Sequence, residues 1–240
     1  MNVVAIIQAR MGSTRLPGKV LKDLCGETVL ARVVNRTRRA TLLNKVVVAT
    51  SVQPADDAIL QECGRLSVAC FRGHEADVLD RYYRAAEKFS ADAIVRITSD
   101  CPLIDPEVSD KTIRAFLEQH PDYASNVLER RYPRGLDTEV MTFAALETAR
   151  REARDPHQRE HVTPFLYQHP ERFRLVSVTG DRDYSHYRWT LDTVEDLEFL
   201  RSVYRRRAEA SDPAWQDVLR ILEREPDLAA INEHVKQKTS

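Results

Sequence analysis

The sequence predicts an α/β fold, in which a mostly parallel central sheet carries helices on both of its faces. Short apolar runs rich in β-branched residues alternate with segments whose apolar residues recur at helical spacing. Such unbroken apolar runs are typical of strands that are buried on both faces, as in a parallel sheet. The length of 240 residues and the hydrophobic fraction of 42% allow a sizeable core. We therefore expect a single domain over residues 1–240.

The first half of the chain, about residues 1–120, alternates regularly between the two patterns. We predict strands at 3–10, 46–50, 67–71 and 92–98, and helices at 28–39, 54–64, 78–89 and 106–120. This alternation implies parallel strand pairing with right-handed crossovers.

The regular alternation of strand and helix patterns ends after residue 120. An edge strand is predicted at 123–127, and further strands at 139–141, 174–178 and 188–191. A helix is expected from 142 or 143 to about 153, and a helical pattern from 194 to the end, with a break near residues 212 and 213. Arg205, Arg206 and Arg207 are interpreted as a solvated helical face.

Composition excludes several classes of protein. There are 36 Lys and Arg residues against 37 Asp and Glu, whereas a general nucleic-acid binder usually carries a basic excess. The four cysteines form no C-x-x-C pair, which favours free thiols in a reducing compartment. No apolar run reaches the roughly 20 residues that a membrane span needs. The first strand begins directly after Met1 and Asn2, which leaves no room for a signal peptide, so we expect a cytoplasmic protein.

The segment 10–19, called the phosphate loop below, follows the first strand and combines glycines with cations. Backbone N–H groups and positive charge in one loop suit a polyphosphate, although an ordinary turn with surface cations is the alternative. The loop is not a Walker P-loop, because five residues separate Gly12 from Gly18 and Val20 follows Lys19. No G-x-G-x-x-G run occurs in the sequence.

The run from Gln8-Ala9-Arg10 to Arg15-Leu16-Pro17-Gly18-Lys19 closely resembles the nucleotide loop of the sugar-activating cytidylyltransferases, which include the CMP-Kdo and CMP-sialic acid synthetases. The form with Gln8, Met11 and Gly12, and the run Asp77-Val78-Leu79-Asp80-Arg81-Tyr82-Tyr83, look most like the SpsF-type branch of spore-coat polysaccharide biosynthesis.

The resemblance implies a Rossmann-like nucleotidyltransferase fold, similar to glycosyltransferase A. It also implies a nucleotide-binding half at about 1–120, an acceptor-binding and dimerisation region at about 121–190, C-terminal helices at 193–240, and a homodimer.

Two aspartates are candidate metal ligands. Asp100 follows a predicted central strand, where open α/β sheets bind ligands, and a carboxylate there can hold Mg²⁺ against phosphate oxygens. Asp192 ends another predicted strand within the run Leu191-Asp192-Thr193-Val194-Glu195-Asp196-Leu197, which is a second match to the family. The alternative is that Asp100 merely caps a turn.

The resemblance also implies roles for the remaining candidates. Lys19, Arg10 and Arg15 would neutralise the triphosphate. Asp77 could also be a helix N-cap. Further nucleotide contacts are expected from Gln8, Ala9, Gly12, Ser13, Gly18, Asp77 and Ser99. Acceptor contacts are expected from Arg134, Asp137, Glu139, Glu160 and Arg188. The alternative for Arg134 is a solvated basic loop, and the alternative for Asp137 is a turn.

The reaction implied is attack of an acceptor oxygen on the α-phosphorus of CTP, with Mg²⁺ as cofactor and pyrophosphate as leaving group. The acceptor is a small anion, either a sugar acid or a phosphorylated or phosphonate compound. One alternative is a glycosyltransferase, but no D-x-D motif ends a predicted strand: Asp181-Arg182-Asp183 falls in a loop. The other is a non-catalytic nucleotide-binding module, which would not need both Asp100 and Asp192.

Overall fold

The computed structural model describes residues 1–206 and 212–237. Within these residues, seven strands form one sheet: β1 (Val3–Gln8), β2 (Lys45–Ser51), β3 (Ala69–Gly73), β4 (Ala93–Thr98), β5 (Tyr123–Ser125), β6 (Glu139–Thr142) and β7 (Leu175–Ser177). The α-helices are α1 (Val29–Thr37), α2 (Asp57–Arg65), α3 (Val78–Lys88), α4 (Pro106–Gln119), α5 (Phe143–Glu152), α6 (Pro156–His161), α7 (Pro164–Tyr167), α8 (Val194–Arg205), α9 (Trp215–Arg224) and α10 (Asp227–Glu233).

The sheet has the strand order β3-β2-β1-β4-β6-β5-β7. Strands β3, β2, β1 and β4 are mutually parallel, and β6 runs antiparallel to both of its neighbours. The expectation of a mostly parallel sheet is therefore confirmed. In the register of β1 with β4, Gln8 lies opposite Thr98, so the segments that follow the two strands emerge side by side.

Helices cover both faces of the sheet, as the sequence predicts. Alternate residues of β1 point to opposite faces. Val4 and Ile6 belong to a core cluster that includes residues of α3, α5 and α7. Ala5 and Ile7 belong to a second cluster, which includes residues of α1, α2 and α4.

A third apolar cluster joins the C-terminal helices to the rest of the chain. Trp189 and Leu191 are fully buried in it with residues of α8, α9 and α10. The Trp189 N–H donates to the carbonyl of Arg134 at 2.7 Å, and the Leu191 N–H donates to that of Asp100 at 2.8 Å. These two bonds fix the segment before Asp192 against the loop that follows β4.

Two predictions about strands are wrong. Residues 123–127 do not form an edge strand, because β5 pairs with β6 on one side and with β7 on the other. Residues 188–191 form no strand and contribute one isolated bridge, between Arg188 and Arg134. The two segments approach each other too closely there for a regular β-ladder: a Cβ built on Gly135 would lie 2.7 Å from the Trp189 carbonyl.

The C-terminal half follows the helical prediction where it is described. Helix α8 ends at Arg205, and the next helix begins at Trp215, which agrees with the expected break near residues 212 and 213. Arg207 and residues 238–240 lie outside the described residues. No helix in the described part of the chain is both long and apolar enough to cross a membrane.

Candidate active site

A cavity of about 590 Å³ opens where β1 and β4 end. Its lining comes from the phosphate loop, the loop after β4 and the segment before α8. Because six cationic side chains outnumber four acidic ones among the described lining residues, the cavity suits a polyanion. The charged lining consists of Arg10, Arg15, Lys19, Arg81, Arg96, Arg134, Asp100, Asp137, Glu160 and Asp192.

The two predicted metal ligands converge on one point in this cavity, where the ammonium of Lys19 lies. The Lys19 Nζ atom is 2.8 Å from the Asp100 carboxylate and 2.9 Å from the Asp192 carboxylate. It also donates to the carbonyl of Leu191 at 2.8 Å. The position of Lys19 follows from the turn before it, since Gly18 has a φ of 64° and the Lys19–Leu21 helical turn starts directly after it.

The ion pairs change the proton affinities of both partners. Burial alone would lower the pKa of Lys19, but Asp100 and Asp192 outweigh it and raise the pKa above the usual value. Burial alone would raise the pKa of Asp100, but the Lys19 ammonium outweighs it, and the pKa falls to about 2. Lys19 is therefore a cation and Asp100 an anion at neutral pH.

Asp192 is held by two arginines in addition to Lys19. Arg15 and Arg188 each place a guanidinium nitrogen 2.8 Å from the Asp192 carboxylate. Arg188 also binds the fully buried Asp196 at 2.9 Å. Arg188 thus pairs with two carboxylates, does not line the cavity and holds Asp192 in position. Its predicted contact with the acceptor stays a prediction.

The phosphate loop presents backbone donors as well as cations. The N–H groups of Ser13 and Gly18 both donate to the Met11 carbonyl, at 2.9 and 3.1 Å. Within the described residues, the N–H groups of Gly12 and Thr14 have no acceptor, and both residues line the cavity. Gly12 therefore offers the free backbone donor that the sequence predicts, whereas Gly18 lies outside the lining and shapes the turn.

The carboxylate pair fits a hard divalent cation. Asp100 and Asp192 already share one positive charge, that of Lys19, at hydrogen-bonding distance. Mg²⁺ is commonly bound by one or two carboxylates, with water and substrate phosphates completing its shell. No group of three or more metal-binding side chains occurs in the part of the chain that the structure describes.

The far side of the cavity carries the predicted acceptor residues. Arg134 lines it, and within the described chain its guanidinium has no hydrogen-bond partner. Asp137 also lines it and accepts two bonds from Arg130, at 2.6 and 2.8 Å. Glu160 lines it on α6 and lies 3.4 Å from Arg10. Burial lowers the pKa of the neighbouring His161, and His157 lowers it further.

Two more predicted site residues lie outside the lining. Asp77 accepts a bond from the Asp80 N–H as the N-cap of α3 and pairs with Arg159, so the capping alternative is confirmed. Glu139 is buried, pairs with Arg96 and accepts hydroxyl bonds from Tyr123 at 2.5 Å and Thr163 at 2.7 Å. All of these contacts are internal, and the predicted contact of Glu139 with the acceptor stays a prediction. The other predicted nucleotide residues line the cavity: Gln8, Ala9, Ser13 and Ser99.

Sequence reasoning missed several lining residues. Arg81 and Arg96 lie within α3 and β4, where the sequence shows only a helix and a strand. A cation within a buried strand (Arg96) or on the apolar face of a helix (Arg81) was the sequence signal that could have identified them. No sequence signal could have identified Gln237, which lines the cavity and accepts a bond from Arg188 at 2.6 Å.

A sequence model of the family described as cytidylyltransferase matches residues 4–221. The chain belongs to the cytidylyltransferase family. The match includes the phosphate loop and both clustered aspartates, and it identifies this chain as a nucleotidyltransferase.

Two relatives match this cytidylyltransferase chain over almost its whole length. The spore coat polysaccharide biosynthesis protein SpsF of Bacillus subtilis is 35% identical over 239 residues, which are 97% of this chain and 98% of SpsF. A solved cytidylyltransferase structure from Leptospira borgpetersenii serovar Hardjo-bovis has 33% identity and a TM-score of 0.92, with both chains covered completely.

A more distant structure shares the fold. A CMP:2-keto-3-deoxy-manno-octonic acid synthetase, solved in complex with CTP, has a TM-score of 0.66 and 19% identity, and the match covers 85% of this chain and 99% of that one. The predicted nucleotidyltransferase fold is thus confirmed.

Proposed function

We propose that this enzyme transfers CMP from CTP to a small anionic acceptor, with Mg²⁺ as cofactor and pyrophosphate as the leaving group. The observation that carries the proposal is the position of Lys19. Its ammonium lies between the carboxylates of Asp100 and Asp192, and Lys19 belongs to the phosphate loop, in which the N–H groups of Gly12 and Thr14 have no acceptor among the described residues. Cations, backbone donors and a carboxylate pair are the parts that phosphoryl transfer needs.

The chain's own residues neutralise and orient the triphosphate. Lys19, Arg10 and Arg15 balance its charge, and the Gly12 N–H donates to a phosphate oxygen. In the reaction, a bond forms between the acceptor oxygen and the α-phosphorus while the bond from that phosphorus to the bridging oxygen breaks. A hydroxyl acceptor releases its proton to solvent as this bond forms, whereas a phosphate or phosphonate acceptor attacks as its anion. Pyrophosphate leaves with the added negative charge, which the cations stabilise. A Mg²⁺ ion held by Asp100 and Asp192 would supply Lewis acidity at the α-phosphate.

The acceptor is a small acid that binds on the side of the cavity formed by residues 121–190. The support is Arg134, a cation that lines the cavity and has no acidic partner in the described chain. An unpaired arginine suits a carboxylate or phosphate. A 2-keto sugar acid fits this chemistry, and the likeness to SpsF suggests a precursor of a cell-surface polysaccharide. A phosphorylated sugar or a phosphonate is the alternative acceptor.

A glycosyltransferase is not favoured, because the Asp181-Arg182-Asp183 run lies in a loop outside this cavity. The homodimer and the cytoplasmic location stay predictions.

The direct test is an acceptor panel. The purified protein is incubated with Mg²⁺ and CTP, UTP, ATP or GTP, together with a 2-keto sugar acid, a sugar phosphate or a phosphonate, and pyrophosphate is measured. We expect release that requires CTP and one acceptor, with a CMP-linked or CDP-linked product by mass spectrometry. Pyrophosphate release without any acceptor would contradict the proposal. The absence of release with all four nucleotides would contradict it as well.

A further inference from the structure

Asp56 is a buried carboxylate that lies outside the cavity and pairs with no cation among the described residues. The residue is 3% exposed. It occupies the N-cap position before α2, where an aspartate usually accepts from the first turn of the helix, but its side chain makes no such bond. Because a buried charge is costly unless hydrogen bonds satisfy it, the bonds that replace the missing cap indicate the role of this carboxylate.

One oxygen of this carboxylate holds the phosphate loop. The Met11 N–H donates to Oδ1 of Asp56 at 2.7 Å, across 45 positions of sequence. The Met11 carbonyl in turn accepts from the N–H groups of Ser13 and Gly18, at 2.9 and 3.1 Å. Both backbone polar groups of Met11 are therefore bonded, the N–H to the segment before α2 and the carbonyl to two points of the loop itself.

The other oxygen of Asp56, Oδ2, is bonded to the end of β2. It accepts from the Ser51 N–H at 3.2 Å and also from the Ser51 hydroxyl. Arg72 on β3 braces the same connection, because its guanidinium donates to the carbonyls of Ser51 and Gln53 at 2.9 and 3.0 Å. Asp56 therefore anchors Met11 to a connection that is itself held in place.

The anchor at Met11 leaves a defined pair of loop donors free. The N–H groups of Gly12 and Thr14 have no acceptor in the described chain, and both residues line the cavity. A loop that contains two glycines has many other conformations, and selecting one of them on binding costs free energy. A loop that is held beforehand in the receiving shape avoids this cost.

We propose that Asp56 is a positioning residue, which holds the phosphate loop through Met11 in the shape that receives the triphosphate before the nucleotide binds. This inference rests on the proposed function, because it concerns the loop assigned to the phosphates. Asp56 then affects the binding of every ligand that carries a triphosphate, whatever its base. A carboxylate that only stabilised the fold would change the free energy of unfolding and leave the triphosphate affinity of the folded protein unchanged.

The first test is calorimetric binding of CTP and of inorganic tripolyphosphate, each with Mg²⁺, to the full chain. Asp56→Ala removes the acceptor of the Met11 N–H. Ser51→Ala is the matched control, because it removes a hydrogen bond from the same carboxylate and leaves Met11 anchored. We expect Asp56→Ala to bind both ligands about tenfold or more weakly, since the lost bond has a charged acceptor, and Ser51→Ala to keep the wild-type affinities. Urea denaturation shows that each variant is folded under the binding conditions.

The second test uses the wild type alone, so it does not depend on the folding of a variant. Amide hydrogen exchange, followed by NMR, compares Met11, Gly12 and Thr14 in the free protein and with tripolyphosphate and Mg²⁺. We expect the Met11 amide to be protected without any ligand. The amides of Gly12 and Thr14 should become protected only when tripolyphosphate is added.

Three results overturn the inference alone. They are wild-type affinity of folded Asp56→Ala for both ligands, an equal loss of affinity in Ser51→Ala, and a Met11 amide that exchanges as fast as that of Gly12 in the free protein. A different result contradicts the proposed function itself, and the inference with it, namely a wild type that binds neither CTP nor tripolyphosphate.

Discussion

The ammonium of Lys19 lies 2.9 Å from the carboxylate of Asp192, although the two residues are 173 positions apart in the chain. The contact forms because Lys19 follows a tight turn after β1, while Asp192 is fixed by Arg188 and the C-terminal helices. Asp100, which follows β4, completes the cluster on Lys19. Residues from three distant parts of the sequence thus meet at one edge of the sheet, where open α/β folds bind their ligands.

Replacing Lys19 by alanine should lower CTP-dependent pyrophosphate release by about 100-fold or more, because the variant loses a cation that stabilises the leaving pyrophosphate. The measurement is steady-state release with saturating Mg²⁺. Lys22→Ala is the control, since Lys22 lies three positions on and outside the cavity. Activity of Lys19→Ala within about tenfold of the wild type, roughly 1.4 kcal/mol in the barrier, would remove Lys19 from the mechanism.

Replacing Asp196 by asparagine should destabilise the protein and lower kcat together. Asp196 is fully buried and accepts bonds from Arg188, from Asn232 and from the Asp192 N–H. Loss of its charge leaves a buried arginine with one carboxylate, which should cost about 3 kcal/mol in the free energy of unfolding.

Urea denaturation and kinetics check this prediction. The exposed neighbour Glu195 supplies the control variant, Glu195→Gln. An Asp196→Asn protein with unchanged stability would show that this network does not hold Asp192.

The low pKa of Asp100 predicts a pH dependence of stability. Burial opposes the shift, but Lys19 lowers the pKa of Asp100 from its usual 3.8 to about 2 in the folded state. Because the folded pKa is below the unfolded one, this stabilisation is complete above about pH 4 and is lost as the pH falls towards 2. The free energy of unfolding, measured between pH 5 and pH 2, should fall more steeply in the wild type than in Asp100→Asn.

Asp181→Asn, at an exposed loop position, should keep the wild-type pH dependence. Equal slopes in the wild type and Asp100→Asn would mean that Lys19 does not stabilise the ionised carboxyl.

How much the sequence could predict differs between the sheet centre and its edges. Strands β1, β2 and β4 are continuous apolar runs, so their periodicity was decisive. β5 has three residues, and its partner β7 lies about 50 positions further along, so no local pattern could show that β5 is internal. The segment 188–191 looks like a strand, but its close approach to Gly135 depends on tertiary packing.

The same division holds for the site. Asp100 and Asp192 could be selected because each directly follows a predicted strand, and Lys19 because it lies in the basic, glycine-containing loop after the first strand. The ion pairs of Arg188 could not be predicted, because its spacing from Asp192 and Asp196 in the sequence does not show that both carboxylates face it. The internal contacts of Glu139 could not be predicted for a related reason: its three partners come from β4, β5 and the segment before α7.

Arg134 should bind the acceptor and not the nucleotide. We expect Arg134→Ala to raise KM for the acceptor identified by the panel by about tenfold or more, because a charge-assisted bond is lost, and to leave KM for CTP unchanged. The control is Arg131→Ala, since Arg131 is exposed and paired with Glu129 at 2.9 Å. A change in KM for CTP alone would place Arg134 on the nucleotide instead.

Asp100 and Asp192 together are proposed to hold the divalent ion. Anomalous diffraction from crystals grown with MnCl₂ and CTP tests this claim directly. We predict an anomalous peak about 2.1 Å from an oxygen of each carboxylate, with the remaining ligands from phosphate and water. A peak bound to the triphosphate alone, with neither carboxylate in its coordination shell, would contradict the account.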